Sequence, residues 1–200
     1  MSRIDNHTYY TTAIKRHGKS AQGVHWNSQH TQQKRFAVLL GMIGDIEGAS
    51  VVDAGCGFGD LYLYMQQKRK MPRSYTGLEV MEEMVEEACS RTGCEISLCD
   101  VLHDALPEAD YYICSGAMNI LTRAETALFI RRCYEASRKG FVFNMLLGED
   151  DSLVYNYFRP EEIKPMAEEL GGEFAMREGY LPRDFTVFLS KPQPASKEIL

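Results

Sequence analysis

The sequence predicts a doubly wound α/β domain, a largely parallel sheet with helices on both faces. Three observations carry the prediction. Short apolar, β-branched runs alternate with stretches of helical apolar spacing from residue 50 to residue 145, the pattern of βαβ units with right-handed crossovers. The first of these runs ends in closely spaced glycines directly before a helix. The last two strand candidates are joined by Gly179-Tyr-Leu-Pro-Arg-Asp184, a loop too short for a crossover helix, so they should be antiparallel. A chain of 200 residues and 22.7 kDa forms one domain with room for an appended arm.

Taken in order, residues 1–34 lack the alternation and carry Gly18 and Gly23 as hinge points, so they are expected to form a helical arm or lid. Ser50-Val-Val-Asp-Ala54 is the first strand, and Leu61 to Lys68 has helical apolar spacing. Tyr75 to Val80 is a second strand, Met81 to Ser90 a helix with an acidic outer face, and Glu95 to Cys99 a third strand. Tyr111 to Cys114 is a fourth strand, Arg123 to Ser137 a helix and Gly140 to Met145 a fifth strand. Pro160 opens a helix with Glu161 and Glu162 in its first turn, and Gly171-Gly172 closes it. Glu173 to Arg177 and Phe185 to Ser190 are the last two strands. The domain is expected over 35–190, with 191–200, opening on Lys191-Pro-Gln-Pro, as a flexible tail.

Composition excludes several classes. Apolar residues at 44% and charged residues at 25% are globular values. No apolar run approaches the ~18 residues of a membrane span, and the opening residues lack the apolar core of a signal peptide. Net charge is −6, so the cationic surplus that drives nucleic-acid binding is missing. No pair among Cys56, Cys89, Cys94, Cys99, Cys114 and Cys133 has the Cys-x2-Cys spacing of common zinc sites. The cysteines are read as packed thiols, no metal is expected, and the compartment is the cytoplasm.

The informative segment is Val51-Val-Asp-Ala-Gly-Cys-Gly-Phe-Gly-Asp60. Gly55, Gly57 and Gly59 let the backbone turn sharply and leave no Cβ in the way of a ligand. A dinucleotide fingerprint would place its third glycine at position 60. Asp60 stands there instead and would repel a pyrophosphate, whereas a ligand carrying an amine and a sulfonium would not be repelled. Glu79 ends the second strand, where an acid can accept both ribose hydroxyls. Asp100 follows the third strand.

With Asp53 at the end of the first strand, this pattern resembles the class I S-adenosylmethionine-dependent methyltransferases over roughly residues 35 to 190. The resemblance implies a Rossmann-like seven-stranded sheet of order 3-2-1-4-5-7-6 with the last strand antiparallel, and S-adenosylmethionine as cofactor. It implies that Asp53, Gly55 and Gly57 face the cofactor, that Asp100 accepts from the adenine amine beside Val101, that Met84 floors the ring, and that Ser115 lines the site. A narrower likeness to a group of small bacterial methyltransferases rests on Trp26-Asn-Ser28, Gln33 to Phe36, Ser115-Gly-Ala-Met-Asn119 and Asp184-Phe-Thr-Val187. In such enzymes the segment before the first strand closes over the cofactor. The resemblance then implies that Trp26 caps the methyl end and Arg35 pairs with the methionine carboxylate.

The segment after the fourth strand, Cys114-Ser-Gly-Ala-Met-Asn119, lacks the Asn/Asp/Ser-Pro-Pro-Tyr/Phe of DNA amino-methylating enzymes. Nucleic acid therefore recedes, no membrane is expected, and a small polar acceptor comes to the front. Candidates to reach the acceptor are His25, His30, Asn119, Tyr155, Tyr157 and Asp184, none of them compelled by the sequence. A non-catalytic cofactor-binding module, a nucleic-acid or protein methyltransferase and a nicotinamide-dependent oxidoreductase stay open as alternatives. The sequence does not fix the oligomeric state.

Overall fold

The first helix among the described residues, α1 (Gln29–Ile43), lies across the expected boundary between residues 34 and 35 and makes residues 29–34 continuous with the domain. Ser28 caps it, its hydroxyl accepting the Thr31 N–H at 3.2 Å. Gln32, Arg35, Phe36, Leu39 and Leu40, spaced three or four apart, form its buried stripe. The computed structural model describes residues 28–149, 152 and 154–192. His25, Trp26 and most of the expected arm lie outside the described residues. Of the expected tail, Lys191 is tied in: its N–H donates to the Lys139 carbonyl at 2.8 Å and its ammonium lies over the Tyr134 ring.

Then come β1 (Ser50–Ala54), α2 (Asp60–Lys68), β2 (Ser74–Glu79), α3 (Glu82–Thr92), β3 (Glu95–Leu98) and β4 (Ala109–Ser115). A 3₁₀ turn (Ala117–Ile120), α4 (Arg123–Ala136), β5 (Ser137–Leu147), β6 (Tyr157–Phe158), α5 (Pro160–Glu169), β7 (Glu173–Glu178) and β8 (Asp184–Ser190) complete the order. The sheet runs β3-β2-β1-β4-β5-β8-β7, and β8 is antiparallel to both neighbours. This is the expected order with one added strand. The two-residue β6 pairs with β5 at Leu146 and Leu147 and was invisible as a sequence pattern. β5 also begins at Ser137, ahead of the expected Gly140, because its first residues pair with β4 at Ala109.

Both faces of the sheet are covered, so the strands read as continuous apolar runs. Val52, Tyr112, Phe141, Phe143, Val187 and Leu189 face α4 and α5, where they meet Phe129, Ile130 and Ile163. Val51, Ile113 and Val142 face the other way, onto Phe36, Leu39 and Leu40 of α1 and Leu61 and Met65 of α2. Alternation along the strands puts Asp53, Ser115, Asn144, Thr186 and Asp184 on this second face. Register aligns them, with Ser115 opposite Asn144 and Asn144 opposite Thr186. A polar row therefore crosses the carboxyl ends of the strands, where open α/β sheets bind ligands.

Candidate active site

The turn after β1 is stitched to the end of β2. The N–H groups of Gly55 and Cys56 both donate to the Leu78 carbonyl, at 2.8 and 3.0 Å. Gly55, Gly57 and Gly59 all have left-handed φ, at 78°, 55° and 77°, a region that side chains resist. A Cβ at Gly55 would stand 2.3 Å from the Ala117 Cβ, and one at Gly59 would stand 2.5 Å from the Thr92 Cγ2.

This turn forms the floor of a cleft enclosing about 1160 Å³, open solvent at its mouth included. Asp53, Gly55, Gly57, Glu79, Met84, Asp100, Val101 and Ser115 all line it, as do Asn119 and Tyr155. Sequence reasoning missed Gln32, Phe36, Phe58 and Leu102 as wall residues. The helical stripe on α1 was the available signal for the first two.

Glu79 is 7% exposed. Its Oε2 accepts the Gly57 N–H at 2.9 Å, and its Oε1 accepts those of Val80 and Met81 at 2.8 and 3.1 Å. Burial pushes its pKa up, against the pull of these three donors. Oε2 retains capacity for a further hydrogen bond. Asp53 accepts the Tyr75 hydroxyl at 2.6 Å. Burial pushes its pKa up to about 7; the Tyr75 hydrogen bond opposes the rise, and the charges of Glu79 and Asp60 add to it.

Asp60 is braced from two sides, by Gln32 Nε2 at 3.0 Å and Arg91 Nη2 at 2.7 Å. Arg91 also donates to the Phe58 carbonyl at 2.8 Å, which fastens α3 to the glycine turn. Asp100 reaches the wall, but its carboxylate also holds its own loop, accepting the Leu102 N–H at 2.9 Å and contacting His103 Nδ1 at 2.9 Å. Met84 is 1% exposed and packs with Phe58 and Met81, so it serves core and wall together.

Four expected residues stand elsewhere. Arg35 forms an ion pair with Asp184 at 2.5 Å, with side chains only 9% and 1% exposed, so neither lines the cleft. Burial pushes the Asp184 pKa up, and Arg35 only partly offsets it. Tyr157 lies under the Arg183 guanidinium, away from the cleft. His30 is on the exposed side of α1.

The cleft is acidic. Asp53, Asp60, Glu79 and Asp100 line it, and among the described residues no lysine, arginine or histidine does. Ser115 Oγ is buried with no hydrogen-bond partner, a polar atom left for a ligand.

A family model for a methyltransferase domain matches residues 51–140. No curated protein matches the sequence. Among solved structures, magnesium protoporphyrin IX methyltransferase from Synechocystis PCC 6803 with bound SAH is 16% identical. That match covers 81% of this chain and 84% of that one, with a TM-score of 0.68. Human N-acetylserotonin methyltransferase in complex with SAM is 17% identical over 94% of this chain and 61% of that one, TM-score 0.67. The putative methyltransferase in complex with the Haloferax volcanii Trm112 methyltransferase activator is 13% identical over 96% of this chain and 100% of that one, TM-score 0.71. At such identities the likeness speaks to the fold, which is the class I methyltransferase fold. The family match covers the glycine turn and the first four strands, and the solved methyltransferases share the fold built around them.

Proposed function

We propose that the protein transfers a methyl group from S-adenosylmethionine to a small polar acceptor. The observation that carries this reading is the acidic lining of the cleft, four carboxyl groups, with Asp60 paired to Arg91 and Asp53 titrating at about 7, and no cation among the described lining residues. A sulfonium nucleoside fits such a wall, and a pyrophosphate cofactor is repelled by it. In this reading Glu79 Oε2 takes the ribose hydroxyls, Ser115 Oγ regains a partner at the amino-acid end, and Met84, Val101 and Leu102 enclose the base. Gly55 and Gly57 leave the ligand room against the backbone. When bound, the cofactor supplies a methyl group already activated as a sulfonium. The chain's own task is then to hold the acceptor in line at ~3 Å and to exclude water. With the cofactor bound, the cleft would hold the acceptor's lone pair in line with the methyl carbon, the neutral thioether would be the leaving group, and an acceptor proton would be released as the product leaves the site.

Two structural relatives are named for small-molecule acceptors, a magnesium porphyrin and N-acetylserotonin, which supports the same class here. Six free thiols support a reducing compartment, the cytoplasm. Isothermal titration tests the reading: S-adenosylhomocysteine and S-adenosylmethionine should bind, and NAD should not. Binding of NAD without S-adenosylhomocysteine overturns it.

A further inference from the structure

β4 ends at Ser115, opposite Asn144 of β5, while β5 runs on to Leu147. The place beside β5 that β4 vacates is taken by β6, with Leu146 opposite Tyr157 and Leu147 opposite Phe158. The excursion between them is closed at its base by the Gly148 N–H donating to the Phe158 carbonyl at 3.2 Å. Residues 155 and 156 therefore arrive at the end of β4, beside the 3₁₀ turn that carries Asn119.

Asn156 locks that arrival. Its backbone N–H donates to the Asn119 carbonyl at 2.7 Å. Its Nδ2 donates to the Leu121 carbonyl at 3.0 Å and approaches Thr126 Oγ1 at 3.5 Å. The residue is 8% exposed, and its Oδ1 is buried with no partner. An amide kept in a buried place with one end unsatisfied is there for its donor. On the other side, the Tyr155 N–H donates to Ser152 Oγ at 3.0 Å. Tyr155 is thus pinned through its own backbone and its neighbour, and it lines the cleft, as Asn119 does.

We propose that Asn156 is a positioning residue that seats Tyr155 beside Asn119 to form the acceptor subsite, and that this subsite takes an uncharged acceptor bearing a hydroxyl or aryl amine on an apolar body. The proposal rests on the methyl-transfer reading and names its substrate class. Ile120 and Leu121 supply apolar wall next to Asn119 in the chain, while Asn119 and Tyr155 are neutral polar residues. At Asn119 and Tyr155 an acceptor's own carboxylate or phosphate would meet only neutral side chains, and no cation among the described lining residues would offset its desolvation.

The test uses the full chain with methyl-labelled S-adenosylmethionine. p-Cresol and p-toluidine are compared with p-hydroxybenzoate and p-aminobenzoate, alongside titration with S-adenosylhomocysteine. Wild type should methylate the uncharged pair at least tenfold faster than the anionic pair. Asn156→Asp, which sets a carboxylate against the Leu121 carbonyl, should raise the acceptor KM tenfold or more with a smaller change in kcat. Its S-adenosylhomocysteine affinity should stay within about twofold. Tyr155→Ala, which needs no buried partner to fold, should give the same split, and Tyr155→Phe a weaker form of it. Equal or better transfer to the anionic pair, or no transfer to either uncharged compound by protein that binds S-adenosylhomocysteine, overturns the proposal alone. Parallel loss of acceptor KM and S-adenosylhomocysteine affinity in both variants assigns these residues to the fold and also overturns it. Wild type that binds no S-adenosylhomocysteine brings down the methyl-transfer reading itself.

Discussion

The wall of the cleft built by β1, β2 and β3 and the wall built by β4, β5 and β8 hold their polar groups by different means. On the first, Glu79 is gripped by the N–H groups of its two following residues and of Gly57, and Asp100 is gripped by the loop that follows it. Those from Val80, Met81 and Leu102 are short-range bonds to backbone that form as the strand ends and turns form, and the one from Gly57 needs only the pairing of β1 with its neighbour β2. Behind the second, outside the cleft lining, Arg35 of α1 meets Asp184 of β8, and Asn156 meets Leu121 and Thr126 across a helix. Such contacts exist only once the sheet is assembled. The first wall is a fixed receptacle. The second is the part whose geometry a substitution far away in the chain can change.

The sharpest break in that contrast is the buried ion pair. Arg35→Met leaves Asp184 buried and alone, and should cost about 3–5 kcal/mol of stability at pH 8, the usual penalty for removing one partner of such a pair. Without the guanidinium, the Asp184 pKa climbs further, so the deficit should shrink as pH falls and the carboxyl takes up a proton. Arg35→Met combined with Asp184→Leu should recover most of the loss. Denaturant unfolding at pH 5 and pH 8 checks both statements, and a pH-independent deficit would show that Asp184 is not the group left uncompensated.

On the opposite wall, Asp53 makes stability itself depend on pH. Its pKa is raised from 3.8 to about 7, so the folded chain holds a proton that the unfolded chain has released. Its contribution is fully present below pH 4 and is lost as pH rises toward 7, amounting to at most about 4 kcal/mol. Asp53→Asn keeps an acceptor for the Tyr75 hydroxyl and should flatten the curve, raising Tm relative to wild type at pH 8. A slope unchanged in the variant would reassign the effect to Glu79 or Asp184, whose pKa values are also raised.

Glu79→Gln follows in size. It removes a charged acceptor for the ribose and sets an amide against the Gly57 N–H, and should weaken S-adenosylhomocysteine binding by about 1–3 kcal/mol. Titration and melting have to be read together. A fall in Tm with affinity intact would make Glu79 a staple of the glycine turn and nothing more.

The same contrast explains what the sequence makes legible. The first wall follows from a strand ending in alternating glycines and from acids at strand ends, because short-range bonds leave short-range patterns. The sheet order follows as well, since alternation and the short loop before Asp184 limit the topologies. β6 is not legible, because two residues make no period and their pairing depends on where β4 stops. The placement of Arg35 is not legible either. Its helix and spacing are clear from the sequence, but the sequence does not say which carboxylate lies beneath it, and Asp184 takes it away from the methionine end where the family pattern would put it.

Gln32 gives the smallest expected effect and tests how the two walls are joined. It sits on α1 one turn before Arg35, so the helix that is tied to β8 by an ion pair also reaches the glycine turn through the 3.0 Å bond from Gln32 Nε2 to Asp60 Oδ2. Gln32→Leu keeps the volume and the apolar stripe but removes the donor. Asp60 retains Arg91 at 2.7 Å, so its charge stays compensated, and the loss in stability should be about 1 kcal/mol, the net value of one such hydrogen bond. The more telling readout is local. If this bond fastens the start of α1 over the cleft, amide exchange in residues 29–36 should quicken in the variant and slow again when S-adenosylhomocysteine is added, because Gln32 and Phe36 line the cleft and a ligand filling it would hold the helix in place. Exchange in α4, which packs on the other face of the sheet, should not move. Equal protection of residues 29–36 in wild type and variant, with and without ligand, would show that Arg35 and the apolar stripe alone seat α1, and that the helix is a fixed roof that does not close in response to the cofactor.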